Sequence, residues 1–171
     1  MKFLRAVVLS LSCLALPVLA AEPTLYGRYE YVGLPQLQQT LQAKMDTGAY
    51  TASLSARDIE PFSRDGEAWV RFRLAAKGAA DTRYELPLAR MSTIKNRADE
   101  NADEEPGAAD VSKRPVVDLQ VCLGGVQRSI EVNLTDRSGF NYPLLIGAKA
   151  LRKFNAAVNP AQRFTAGQPS C

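Results

Sequence analysis

One short segment, Asp46-Thr47-Gly48-Ala49, contains residue types that could carry out acid–base chemistry. The carboxylate of Asp46 is the reactive group, and the Thr47 hydroxyl can hydrogen-bond across a shared interface. Gly48 has no Cβ and so allows a close backbone approach in a tight turn, and Ala49 is small enough for the same crowded layer. Alone the tripeptide is a weak signal, because average composition often produces it by chance.

The absence of histidine narrows the chemistry further. The chain of 171 residues contains no His, which excludes Ser-His-Asp and Cys-His catalysis and histidine-ligated zinc. Its formal net charge of +3 is small, so it gives no electrostatic reason to expect nucleic acid as a partner. The chemistry must therefore use carboxylates, hydroxyls, thiols or amines.

The first twenty residues have the pattern of a secretory signal peptide. Lys2 and Arg5 precede an apolar run over 6–16, and small residues follow Pro17. The run is too short for a membrane span, which needs about 20 residues. We therefore expect cleavage after Ala20 or Ala21, no membrane span, a periplasmic or secreted protein, and one domain over 21–171.

Two cysteines, Cys122 and Cys171, remain after that cleavage. An even number of cysteines in an oxidising compartment favours a disulfide, which would hold the C-terminal tail. The alternative is a buried thiol at Cys122 and a frayed chain end.

Hydrophobic patterning predicts a mostly β domain. Strands are expected at 42–45, 69–74, 84–88, 114–123, 126–135 and 143–147. Gly124-Gly125 joins the two longest strands in a hairpin. A short helix is expected over Ala148–Phe154, and 34–42 is a weaker second candidate. The acid-rich run 97–110 has almost no large apolar residue, which predicts a mobile loop.

A second motif, Leu145-Ile146-Gly147 before the short helix, strengthens the first. Retroviral-type proteases place two large apolar residues and a glycine there, on the strand that crosses behind the catalytic turn. With KMDTGAYTASLSA, RPVVDLQV, LTDRSGFNYPLLIGAKAL and the late VNP, residues 44–160 resemble the bacterial retropepsin-like aspartic peptidases, many of which are labelled "ATP-dependent zinc protease". The zinc label finds no support in a chain without histidine.

This resemblance implies an all-β, closed acid-protease barrel with one short C-terminal helix. It also implies a homodimer, because each chain supplies one Asp46 and the reaction needs two carboxylates that share a proton. The expected protein is a periplasmic aspartic endopeptidase that acts on peptides or proteins with an activated water and without a metal or organic cofactor. The flap would lie between 84–94 and 113–121, with 97–110 near its tip as a steering segment or a solvated insertion.

Two positions depart from the retroviral pattern and leave alternatives open. Tyr50 and Ala148 stand where those enzymes have an Asp–Arg ion pair that braces the dimer. Arg137 could replace that brace, or it could form a surface pair with Asp136. Lys44 is expected to be a solvent-facing strand residue.

Two other functions are compatible with these residues. One is a catalytically silent barrel that binds peptides or a cell-envelope partner. The other is hydrolysis of an unusual amide, such as one in a glutamate-rich chain or a cell-wall peptide.

Overall fold

The computed structural model describes residues 21–95 and 111–171, so the predicted leader (1–20) and acidic run (97–110) lie outside it. Within these ranges the strands are β1 Thr24–Gly27, β2 Tyr29–Leu34, β3 Gln39–Asp46, β4 Ala52–Arg64, β5 Glu67–Leu74, β6 Arg83–Pro87, β7 Arg90–Lys95, β8 Val111–Leu123, β9 Val126–Thr135, β10 Leu144–Gly147 and β11 Ala156–Asn159. The helix α1 spans Ala148–Lys153. No helix of the described ranges is long and apolar enough to cross a membrane.

Six strands close into a barrel, which confirms the predicted fold. They follow one another in the order β10, β3, β2, β8, β9 and β4, and β4 pairs back onto β10. Strands β5 and β6 extend the sheet from β4, whereas β7 pairs with β8. The tilt needed for closure places one face of each strand inside the barrel.

Alternation of side chains fills the barrel with apolar residues. On β9 the alternate residues Ile130, Val132 and Leu134 are buried, and β3, β4, β8 and β10 contribute in the same way. These core residues include Leu41, Ala43, Met45, Ala52, Leu54, Val117, Leu119, Val121, Ile130, Val132, Leu134, Leu144 and Ile146. The opposite faces of β3, β4, β9 and β10 are therefore left to build the site.

Two expectations about secondary structure were wrong. Residues 34–42 form no α-helix, because β2 continues to Leu34, a single 3-10 turn spans Pro35–Leu37, and β3 begins at Gln39. The chain reverses at Gln38, which has a left-handed backbone (φ 52°).

The flap arms also differ from the prediction. Of the predicted first arm (84–94), only β7 pairs with β8, whereas the segment around Tyr84 pairs with β5.

The C-terminal tail is tied to the barrel by a disulfide and a buried carboxylate. Cys122 and Cys171 are joined, with their Cα atoms 5.9 Å apart. Glu30 is fully buried and accepts hydrogen bonds from the backbone N–H groups of Gly27 (2.6 Å), Thr165 (3.0 Å) and Ala166 (3.1 Å). Strand β11 meanwhile pairs in parallel with β1.

We predict that Glu30→Gln lowers the free energy of unfolding by about 3 kcal/mol, because an amide group would face backbone donors in a buried site. Chemical denaturation with the disulfide intact would measure the change. The exposed Glu67→Gln is the control and should have an effect below about 0.5 kcal/mol. Equal stability of the two variants would contradict this role of Glu30.

Candidate active site

Asp46 is the last residue of β3, where a parallel neighbour supports it. Strand β10 lies between β3 and β4, and its Gly147 is in register with Asp46. The turn after Asp46 therefore rests on the end of β10. The two predicted motifs are brought together in this way, with Leu144 and Ile146 in the core and Leu145 and Gly147 on the face that carries Asp46.

Hydrogen bonds fix the turn to the start of α1. The N–H of Ala148 donates to the carbonyl of Ala49 (2.7 Å), and the N–H of Lys149 donates to that of Tyr50 (3.0 Å). A Cβ on Gly147 would lie within 2.8 Å of the Ala49 carbonyl and closer still to that of Thr51. This position therefore requires glycine.

The crowding expected at Gly48 is not found within one chain. A Cβ there would meet only the Oδ1 atom of Asp46, at an ordinary 3.5 Å. Within a single chain, the backbone therefore approaches Gly147 closely, whereas the space beside Gly48 is open.

The carboxylate of Asp46 is paired with Lys44, which we expected only to be a solvent-facing strand residue. Lys44 Nζ lies 2.9 Å from Asp46 Oδ2, and the N–H of Gly48 donates to Oδ1 at 3.1 Å. Partial burial raises the pKa of Asp46, but the hydrogen bond and charge of Lys44, together with backbone N–H groups, outweigh it and hold the pKa below its ordinary value. Asp46 is therefore ionised in the single chain at neutral pH.

A buried polar layer continues from Asp46 across the sheet. Strand register places Lys44, Leu145, Ser53 and Asn133 in one row over β3, β10, β4 and β9. The Asn133 amide donates to the Ala52 carbonyl (2.7 Å) and to the Thr51 hydroxyl (3.2 Å), so it ties the active-site turn to β9. Both Ser53 and Asn133 are buried although they lie outside the barrel core.

Arg137 covers part of this layer. Its side chain is only 8% exposed, and it donates to the Ser53 hydroxyl (2.8 Å) and the Tyr142 carbonyl (3.4 Å). The surface pair with Asp136 that we considered was wrong, because Asp136 instead accepts from the Ser138 N–H at 2.7 Å. Burial lowers the pKa of Arg137, Arg114 lowers it further, and Asp46 opposes both.

One of the two positions that depart from the retroviral pattern, Tyr50, makes a different contact. Tyr50 is 64% exposed, and the guanidinium of Arg152 lies 5.6 Å from the centre of its ring. Thr47 is also exposed beside it. This edge of the turn therefore offers a hydroxyl and an aromatic ring to solvent.

Behind the turn, Glu131 connects α1 to the base of β7. Its Oε2 atom lies 2.7 Å from Lys149 Nζ and 2.8 Å from an Arg90 nitrogen. The hydrogen bond from Arg90 has the largest effect and that from Lys149 the next largest, and they lower the pKa of Glu131 to about 2. The pair of contacts holds α1 and the β7–β8 hairpin to the same strand.

Comparison with known proteins agrees with this geometry. A family model described as RimB-like, "Retropepsin-like aspartic endopeptidase RimB", matches residues 25–169. The chain belongs to this RimB-like family. Membership supports an aspartic-peptidase-like fold, as the closed barrel and its single short helix also indicate.

Solved and curated relatives extend the comparison. A crystal structure of a protein with unknown function from Legionella pneumophila subsp. pneumophila str. Philadelphia 1 is similar with a TM-score of 0.67 and 38% identity, covering 83% of this chain and 97% of that one. A "Probable alpha-L-glutamate ligase" of Shewanella halifaxensis is 31% identical over 143 residues, 83% of this chain. One of Desulfotalea psychrophila is 27% identical over 148 residues. The chain spans 30% of the length of these two curated relatives.

We predict that Lys44→Met raises the pKa of Asp46, because it removes the main group that opposes the effect of burial. Carbon-detected NMR of the side-chain carboxyl over pH 2 to 7 would measure the change. Lys153→Met is the control, because the Lys153 ammonium donates to the Ser129 carbonyl and not to Asp46. It should leave the titration of Asp46 unchanged. An unaltered or lower pKa in Lys44→Met would show that the ion pair has no influence.

Glu131 should stabilise the fold in a pH-dependent way. Its pKa is lower in the folded protein, so the stabilisation is fully present above its ordinary value of 4.5 and is lost as the pH falls towards 2. Because the pair is partly exposed, we expect Glu131→Gln to cost about 1 kcal/mol at pH 7. Urea titrations of both proteins at pH 7, 5 and 3 would measure the free energies of unfolding, and the difference between the two proteins should become smaller at pH 3. A difference that does not change with pH would contradict this.

Proposed function

We propose that this protein is an aspartic endopeptidase that acts as a homodimer, with Asp46 of each chain contributing one carboxylate. The observation that carries the proposal is the placement of Asp46 on a turn held by Gly147, within a retropepsin-like barrel. A binding barrel would have no need to present a carboxylate at that position.

A second chain is needed because one chain offers one carboxylate here. Among the described residues, the side chain of Asp46 contacts Lys44 and the Gly48 N–H and is paired with no second acid. The open space beside Gly48 and the exposed Thr47 and Tyr50 favour contact with another copy at this edge. A two-fold axis through the turn would bring the two Asp46 side chains together.

The chemistry then follows from two carboxylates at close range. They cannot both ionise easily, so the pair shares one proton. The ionised Asp46 takes a proton from a water whose oxygen attacks the peptide carbonyl, while the protonated Asp46 hydrogen-bonds the carbonyl oxygen. Collapse of the tetrahedral intermediate breaks the C–N bond, and a carboxyl proton passes to the leaving amine. Lys44 would favour the singly ionised pair.

Glutamate-containing chains are the substrate class that we propose. The curated relatives carry the name glutamate ligase, and the same family domain makes up part of their length. In this chain Lys44 and Arg137 place positive charge on the face that carries Asp46. We also propose, from the leader-like first twenty residues, that the enzyme works in the periplasm or is secreted.

Mature protein starting at Ala21 should cleave an unstructured glutamate-rich peptide over pH 4 to 8, and Asp46→Asn should reduce cleavage at least about a thousandfold. Asp65→Asn is the matched control, because Asp65 lies exposed in the β4–β5 turn with a backbone that asparagine tolerates. Sedimentation in parallel should show a dimer.

Other results would point elsewhere. Cleavage by Asp46→Asn at the wild-type rate would refute the role of Asp46. A strict monomer that binds peptides without cleaving them would favour the silent binding barrel.

A further inference from the structure

The guanidinium of Arg137 is a buried cation without a counter-ion among the described residues. It is 8% exposed, and its hydrogen bonds go to neutral acceptors, the Ser53 hydroxyl and the Tyr142 carbonyl. These bonds use Nη1 and Nε, so Nη2 makes no hydrogen bond within the described chain. Burying an unpaired charge is costly, which suggests that an anion completes the site when the protein is at work.

Arg137 lies over the face of the sheet that carries Asp46. Its partner Ser53 is next to Leu145 in the row that begins with Lys44, and Asp46 lies two residues further along β3 on the same face. The charge of Arg114, on the β8 arm of the β7–β8 hairpin, also reaches it. Arg137 is therefore near enough to both Asp46 and Arg114 for their charges to influence it.

A pocket of about 270 Å³ opens beside the guanidinium. Its lining includes Lys77, Arg137, Phe140 and Asn141 together with the apolar Ala75 and Ala76, and we name it the Arg137 pocket. The Phe140 ring is 64% exposed and stacks on the guanidinium at 4.4 Å. Two cationic side chains and an aromatic ring thus surround a space of side-chain size.

We propose that the Arg137 pocket binds the side-chain carboxylate of an acidic residue in the peptide substrate, with Arg137 as the specificity-determining residue. This inference rests on the proposed peptidase function. A carboxylate suits the guanidinium because its two oxygens can accept from a planar N–H edge. Binding would also give the buried charge a counter-ion, which no residue of the described ranges supplies.

The first test compares a glutamate-rich peptide with the same peptide carrying glutamine in place of glutamate. Wild-type protein should prefer the glutamate peptide at least about tenfold in kcat/KM. Arg137→Gln should reduce that ratio to near one, mainly through KM for the glutamate peptide. Arg137→Lys should retain part of the preference, because it keeps the positive charge but loses the planar pair of N–H donors that matches a carboxylate.

Two further variants protect the test against misfolding. Lys77→Gln removes the exposed cation of the pocket and leaves the buried layer intact, and it should lower the preference several-fold. Arg83→Gln, an exposed arginine outside the pocket, should not change it. Equal cleavage of the two peptides by wild type, or an unchanged preference in both Arg137→Gln and Lys77→Gln, would overturn the proposal.

A second readout does not depend on activity. Glutarate should raise the Tm of wild-type protein and of Asp46→Asn, but not that of Arg137→Gln, because it binds the native pocket. If wild type cleaves neither peptide, the peptidase proposal fails while the glutarate result still decides the pocket. Equal shifts in wild type and Arg137→Gln, or no shift in wild type, would overturn the carboxylate site.

Discussion

The close contact between Gly147 and the turn after Asp46 is the constraint on which the rest of the site depends. Strand β10 inserts between β3 and β4 and closes the barrel, and its last residue is in register with Asp46. No side chain larger than hydrogen fits there, because the carbonyls of Ala49 and Thr51 lie against it. The same contact therefore closes the barrel and supports the turn after Asp46.

The charged groups around the turn influence the ionisation of the Asp46 carboxylate. Lys44 lowers the pKa of Asp46 in the single chain, while Arg137 is buried on the same face without a counter-ion among the described residues. The two anions that we propose for this face are the Asp46 carboxylate of a second chain and a carboxylate of the substrate. The exposed Tyr50 beside Arg152 takes the position where retroviral enzymes have an ion pair, and it leaves the edge of the turn able to face another chain.

Local patterning predicted most of the barrel. Alternation identified β9, the Gly124-Gly125 turn identified its partner β8, and the glycine-terminated apolar run identified β10. The barrel strands β2 and β4 were not predicted. Residues 34–42 were misread as a helix since Leu34, Leu37 and Leu41 have helical spacing, whereas the strands on either side of Pro35 override it.

The features that sequence could not predict depend on distant partners. The role of Glu30 requires Thr165 and Ala166, which are far away in the chain. The burial of Arg137 depends on Ser53 and on the loop before β10. Asp46 itself stood out, because its motif is local, but its pairing with Lys44 depended on a rotamer that spacing alone does not specify.

The most direct test of the shared-carboxylate site is a mixing experiment. Wild-type and Asp46→Asn chains are combined at constant total concentration, well above that needed for dimers, and peptide cleavage is measured against the wild-type fraction. If both carboxylates are required, mixed dimers are inactive and an equal mixture retains about a quarter of the wild-type rate. Retention of about half, in proportion to the wild-type chains, would show that one chain is sufficient and would contradict the account.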